Sequence, residues 1–298
     1  MTTDATIGRL FDFSDYGALL ELVHNSLYAG ALLGLVGGLV GVFVVTRDLP
    51  FAVHGISELS FAGAAAALLL GINVVVGSLL GSVIAAVLFG LLGVRARHHN
   101  SAIGVLMPFG LGLGVLFLAL YQGRAANKFG LLTGQIVAVD SPQLLALAII
   151  ASIVVVALAV MWRPLLFASV DPELAMARGV PVRALSPVFM LVLGLGVAMS
   201  VQVVGALLVL ALLVTPAAAA VQVTSSPFLA PVLSVVFATT AVVGGTLLAL
   251  GASIPISPYV TTVSFAIYLV CRVIARVRRP ARRAAPAAAE AAVVTGAR

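Results

Sequence analysis

Apolar stretches long enough to cross a lipid bilayer recur along the chain, separated by short polar breaks. A bilayer core of about 30 Å needs roughly 20 predominantly apolar residues in one helix. Reading from the start, spans are predicted over Leu22–Val45, Phe51–Leu70 and Val74–Val94, with breaks at Arg47-Asp48-Leu49-Pro50 and Arg95–Asn100. A fourth follows over Ala102–Leu120, and then a mixed segment, Tyr121–Asp140, that suits a short non-spanning helix. The fifth, Pro142–Trp162, leads into the polar stretch Arg163–Arg183. The block Leu185–Val221 is too long for one crossing and suits two spans meeting near Ser200–Gln202. Spans over Phe228–Leu250 and Tyr259–Ile274 complete the pattern. The fold class is therefore all-α: a polytopic transmembrane helical bundle of eight or nine spans.

Composition sharpens this picture. With 62% hydrophobic and 9% charged residues and a mean hydropathy of +1.23, a soluble domain could not cover its apolar surface. One membrane domain, residues 1–275, is expected, with no room for a soluble nucleotide-binding domain. The remainder, 276–298, is basic, then rich in Ala and Pro, and is expected to be a disordered cytoplasmic tail held to anionic lipid by its arginines. The polar start, Met1–Glu21, does not read as a cleaved signal peptide.

The net charge of +6 points to membrane topology rather than to nucleic acid. Nine spans and an external N-terminus put Arg47, Arg95, Arg97, Arg163, Arg178, Arg183 and Arg272–Arg283 on the cytoplasmic side, with Arg124 and Lys128 outside in the long loop. A single cysteine, Cys271, excludes an intramolecular disulfide and a cysteine-rich metal site.

Few residues can carry chemistry. Glycines Gly30, Gly34 and Gly38, and Gly37 with Gly41, recur at four-residue spacing, which lets helix backbones approach closely or slide. Among ten acidic residues, Glu58 lies well inside an apolar span, with His54 four positions earlier. On a helix such residues share a face, and imidazole and carboxylate both ligate divalent transition metals. A pair that only holds helices together, or one at the membrane interface, would look the same in sequence. His98 and His99, beside Arg95 and Arg97, read as a solvated loop, and His24 as an interfacial residue. No Ser-His-acid set, P-loop or dinucleotide fingerprint is present, so an enzyme has no residues to stand on.

The loop Ser169–Val182 contains a short helix by its own signals. Asp171 is a suitable N-cap, Pro172 a first helical residue and Gly179 a stop. On the arginine-rich side it could dock a cytoplasmic partner or lie among headgroups.

At this point a resemblance becomes specific. In order, the chain carries Val44-Val45-Thr46-Arg47, His54–Gly63, Ala102-Ile103-Gly104, Gly134–Val139, Asp171–Val182, and Gln202–Gly205 through Leu213–Ala218. This ordered set resembles the zinc/manganese/iron (ABC-3 type) permease family of ABC importers, from the first span to Ile274. The resemblance implies a homodimeric, multi-pass permease of the bacterial cytoplasmic membrane. It would work with cytoplasmic ATP-binding subunits and an extracytoplasmic metal-binding lipoprotein, and would keep no permanent cofactor. The transported ion would be zinc, manganese or iron, passing His54 and Glu58, where the family commonly has the carboxylate or another ligand first and the histidine second. Asp171, Glu173, Ala175, Arg178 and Gly179 would form the coupling helix, and Pro216 would kink its span. The alternative is an ion-coupled secondary transporter using Glu58 as carrier, which would need no ATPase.

Overall fold

The computed structural model describes residues 23–93, 99–124, 128, 130–132, 134, 139–250 and 256–278. The expectations for Met1–Glu21, Arg95, Arg97, His98, Gln135–Ala138 and the tail beyond Arg278 lie outside these residues, as does the side chain of His99.

Eleven α-helices have both ends among the described residues, in chain order: α1 (His24–Thr46), α2 (Pro50–Leu70), α3 (Val74–Gly93), α4 (His99–Leu120), α5 (Ser141–Val170), α6 (Pro172–Ala177), α7 (Val182–Val204), α8 (Val209–Leu213), α9 (Thr215–Val223), α10 (Leu229–Leu250) and α11 (Ile256–Val277). Eight of those described are long and apolar enough to cross a membrane: α1 to α5, α7, α10 and α11. The protein is a multi-pass membrane bundle. α1, α2 and α7 form its interior, whereas α4 and α11 turn most of their surface outward. Those outer faces are apolar, with Val105, Phe109, Phe265 and Val273 all exposed, because lipid rather than water is their solvent.

Glycine fixes how the helices meet. Gly30, Gly34 and Gly38 of α1 lie against Val242, Thr239 and Val235 of α10, so these two helices run antiparallel. Gly63 of α2 lies against Gly77 and Gly81 of α3, and the Ser60 hydroxyl donates to the Ser78 carbonyl at 3.0 Å. Gly194 of α7 rests on Ser82 and Ala86 of α3, while Gly90 of α3 meets Pro187 near the start of α7, again antiparallel. α4 instead runs alongside α2 in the same direction: Ile103 meets Gly55, and Gly114 meets Phe61. The four-residue glycine spacing is thus packing chemistry. Apolar side chains gain nothing by leaving lipid for one another, so close van der Waals contact must supply the association.

The second half of the predicted double span departs from expectation. α7 continues past Gln202 and ends at Val204, capped by Gly205 with φ 81°. A 3₁₀ turn (Ala206–Leu208), α8 and α9 follow in place of one helix. The helix is interrupted at Val214, and Pro216 sits in the first turn of α9 instead of kinking a continuous helix. Proline has no N–H to give and is tolerated in a first turn. This broken segment still traverses the bundle. It begins beside Gly134, passes Gly37 and Gly41 of α1 through Leu212 and Leu213, and delivers the chain to the start of α10. Eight long helices and one broken traverse account for the expected eight or nine spans. Arg47, Arg163, Arg178, Arg183, Arg272, Arg276 and Arg278 consequently share one end of the bundle.

At that basic end, Phe43 packs edge-on against Trp162 of α5 and Phe189 of α7, with ring centroids 5.0 and 6.0 Å away. The Arg47 guanidinium lies 5.5 Å from the centre of the Phe189 ring. Burial pushes the Arg47 pKa down from its ordinary value, and the ring face offsets part of the cost of a desolvated cation.

Candidate metal pathway and coupling helix

Pro50 starts α2 at the basic end, so at 1.5 Å per residue His54 lies about 6 Å and Glu58 about 12 Å along the axis. Glu58 therefore lies one turn further from the basic end of α2 than His54. Glu58 is only 5% exposed, whereas the His54 side chain is 34% exposed. Close packing explains the burial: Gly55 faces Phe89 and Ile103, and Gly110 of α4 comes against the backbone of Glu58. On the adjoining face, Ser57 donates to the Ala206 carbonyl at 3.0 Å, tying α2 to the break after α7.

The two candidate ligands do converge. His54 Nε2 and Glu58 Oε1 are 3.7 Å apart, too far for a hydrogen bond. Glu58 Oε2 is buried with no hydrogen-bond partner among the described residues. Both residues belong to one helix, so their pairing cannot clamp two helices together. The gap is compatible with two ligands of one metal ion. Two donors about 2.1 Å from a transition metal, at a tetrahedral to trigonal angle, stand roughly 3.4–3.7 Å apart. Among the described residues, no third His, Cys, Asp or Glu joins them. Two ligands suit passage better than storage.

The residues of the candidate coupling helix fold as their local signals predict. Asp171 is extended, and its carboxylate accepts from the Leu174 N–H at 2.9 Å, capping α6. Pro172 begins the helix, and Gly179 ends the motif with φ 84°. Val180 N–H reaches the Ala175 carbonyl and Gly179 N–H that of Met176, both at 3.0 Å, which is the Schellman pattern. Ala175 is fully buried against the bundle, while Glu173, Leu174, Met176 and Arg178 remain exposed. A side chain at Gly179 would meet nothing within 4 Å, so backbone conformation alone demands glycine there. Gly179→Ala should accordingly cost about 1 kcal/mol locally and fray α6 without unfolding the bundle. Faster amide exchange confined to residues 172–180 would verify this; an unchanged exchange pattern would refute it.

Sequence reasoning overlooked one joint. Gly134 and Gly205 both have positive φ, 83° and 81°, and pack backbone to backbone where α7 ends. A Cβ on either would strike the other's strand of chain. Two glycines far apart in sequence, Gly134 just before Gln135 and Gly205 three residues after Gln202, were the available signal.

Comparison with known proteins agrees with this geometry. Residues 19–275 match the ABC 3 transport family. The manganese transport system membrane protein MntC of Halalkalibacterium halodurans is 29% identical over 220 residues, covering 74% of this chain and 75% of the relative. The high-affinity zinc uptake system membrane protein ZnuB of Haemophilus influenzae is 26% identical over 231 residues, covering 77% and 88%. A chain of the solved structure of PsaBC from Streptococcus pneumoniae in complex with Fab superposes with a TM-score of 0.77 at 24% identity, covering 87% of this chain and 95% of that one. The bundle architecture and a family match running from residue 19 to residue 275 lead to one assignment: the chain belongs to the ABC 3 transport family.

Proposed function

We propose that the protein is the membrane-spanning permease subunit of an ATP-driven importer, and that its cargo is a divalent transition metal ion. The observation that carries this reading is the approach of His54 to the buried Glu58, 3.7 Å apart on one face of α2, in a chain of the ABC 3 transport family. The names of its relatives support the cargo class, since both manganese and zinc transport occur among them. Family membership weighs against a self-sufficient carrier on Glu58. Energy would come from ATP-binding subunits docked on α6, through Glu173, Arg178 and the apolar Leu174 and Met176. Asp171, Ala175 and Gly179 would hold that helix in shape. The basic end would face the cytoplasm, as the positive-inside rule requires, and the opposite end would receive metal from an extracytoplasmic binding lipoprotein. Two copies would face each other across the path, so that two His54–Glu58 pairs supply up to four ligands.

Expressing the chain together with a cognate ATP-binding subunit in a cell lacking metal importers tests the whole reading. ATP-dependent accumulation of radioactive manganese or zinc is expected. Equal accumulation without the ATPase would overturn it in favour of ion-coupled transport.

A further inference from the structure

The Glu58 carboxylate owes its placement to its backbone more than to bonds of its own. Its Oε2 is buried without a hydrogen-bond partner among the described residues, and the His54 imidazole stands 3.7 Å from Oε1. What aims it is the rotation of α2 about its own axis. Three contacts bear on that rotation. Gly110 of α4 packs against the Glu58 backbone. The buried Ser60 hydroxyl meets Ser78 of α3. Ser57, also fully buried, donates to the Ala206 carbonyl at 3.0 Å. The first two partners belong to long helices. Ala206 instead opens the 3₁₀ turn after Gly205, where the broken traverse begins. In surroundings without water, backbone groups of such a break need partners from neighbouring side chains. Ser264 of α11 serves the same traverse: 1% exposed, it donates to the Ala211 carbonyl at 3.0 Å. The two bonds are alike in chemistry and length, yet only Ser57 adjoins a candidate ligand.

We propose that Ser57 is a positioning residue for the metal ion: its bond to Ala206 fixes the turn of α2 that presents Glu58. The proposal rests on the metal-transport reading above and names a residue that does not itself touch the ion. Neighbouring residues of a helix stand about 100° apart, so the Ser57 hydroxyl and the Glu58 carboxylate leave α2 in different directions. The hydroxyl can therefore hold the break while the carboxylate faces the ion. A rotation of α2 that broke this bond would swing His54 and Glu58 together, since they share one face. Their mutual spacing would survive, because it is set within one helix. The direction in which they meet the ion would not. Groups that orient metal ligands are worth about tenfold or more in affinity.

The test is a titration of Mn²⁺, followed by electron paramagnetic resonance, on the full chain in nanodiscs of uncharged lipid. Glu58→Gln identifies the binding that belongs to this pair, as the part it abolishes. Ser57→Ala should weaken that part about tenfold. Ser57→Cys, whose thiol is a weak donor of similar size, should fall between Ser57→Ala and the parent. Ser264→Ala is the matched control. It removes the same kind of bond from the same traverse and should keep the parental Mn²⁺ affinity. Both alanine variants should melt earlier than the parent by similar amounts, since each leaves a carbonyl without its donor. A hydroxyl with a merely structural role predicts that affinity follows stability, so that both variants shift alike. Parental affinity in Ser57→Ala, or equal weakening in Ser57→Ala and Ser264→Ala, overturns the positioning role. So does the absence of any Glu58-dependent binding in the parent. If Ser57→Ala fails to insert, Ser57→Cys set against Ser264→Ala makes the same decision. The transport reading fails separately, if the parent protein with its ATPase moves no metal.

Discussion

Glu58→Gln should reduce metal flux through the reconstituted permease–ATPase complex roughly a hundredfold, a barrier increase of about 2.7 kcal/mol. The substitution keeps side-chain shape in a packed pocket where Glu58 is 5% exposed, so it should not disturb α2. What it removes is the negative charge that compensates a dehydrated, buried divalent cation. An uncompensated ion there is costly in a way that water cannot relieve. His54→Ala should cost less, about tenfold, because the His54 side chain is 34% exposed, so water can replace a lost ligand. A pair that served only packing predicts the reverse order of sensitivity, since Gln would pack and hydrogen-bond about as well as Glu. Flux into proteoliposomes carrying matched amounts of assembled complex decides between them. Near-parental flux in Glu58→Gln would take this pair out of the pathway.

The parts of this fold that were legible beforehand are those governed by local rules. Span positions follow from apolar length, and the α6 loop follows from Asp171, Pro172 and Gly179, whose roles need only neighbouring backbone. The α1 glycines announced a close helix contact, yet nothing in their spacing named α10 as the partner. The break after α7 was misplaced by a few residues because Ser200 and Gln202 are the polar positions, while the chain turns at Gly205. Its cause is tertiary: Gly205 must fit against Gly134, seventy-one residues earlier, and no local propensity records that. For the site, the i, i+4 relation brought His54 and Glu58 together in advance. Their unequal exposure depended on Phe89, Ile103 and Gly110 from two other helices. Gln202 and Asp140 were read as punctuation, since the cavity that both line is assembled from five separate segments.

The second large effect is expected at Gly38. An added Cβ there would lie 2.5 Å from Val235 Cα and 2.6 Å from Val235 N, both backbone atoms of α10. Side chains can rotate away from an intruding methyl group, but a helix backbone can retreat only as a whole. Gly38→Ala must therefore push α1 and α10 apart and loosen the neighbouring contacts of Gly34 with Thr239 and Gly30 with Val242. Overpacking of this kind costs about 1–3 kcal/mol, enough to lower the melting temperature by roughly 2–5 °C in a chain of this size. Gly244→Ala is the matched control. It lies on the same helix pair, but a Cβ there meets nothing within 4 Å, so its melting temperature should stay within about 1 °C of the parent. Thermal unfolding of the purified protein in one detergent compares all three. Equal melting temperatures for Gly38→Ala and Gly244→Ala would mean that α1 and α10 are not locked by these glycines. The contact would then be free to slide during transport. If the lock holds, Gly38→Ala protein that remains folded at low temperature should still move metal, because the methyl group touches neither His54 nor Glu58.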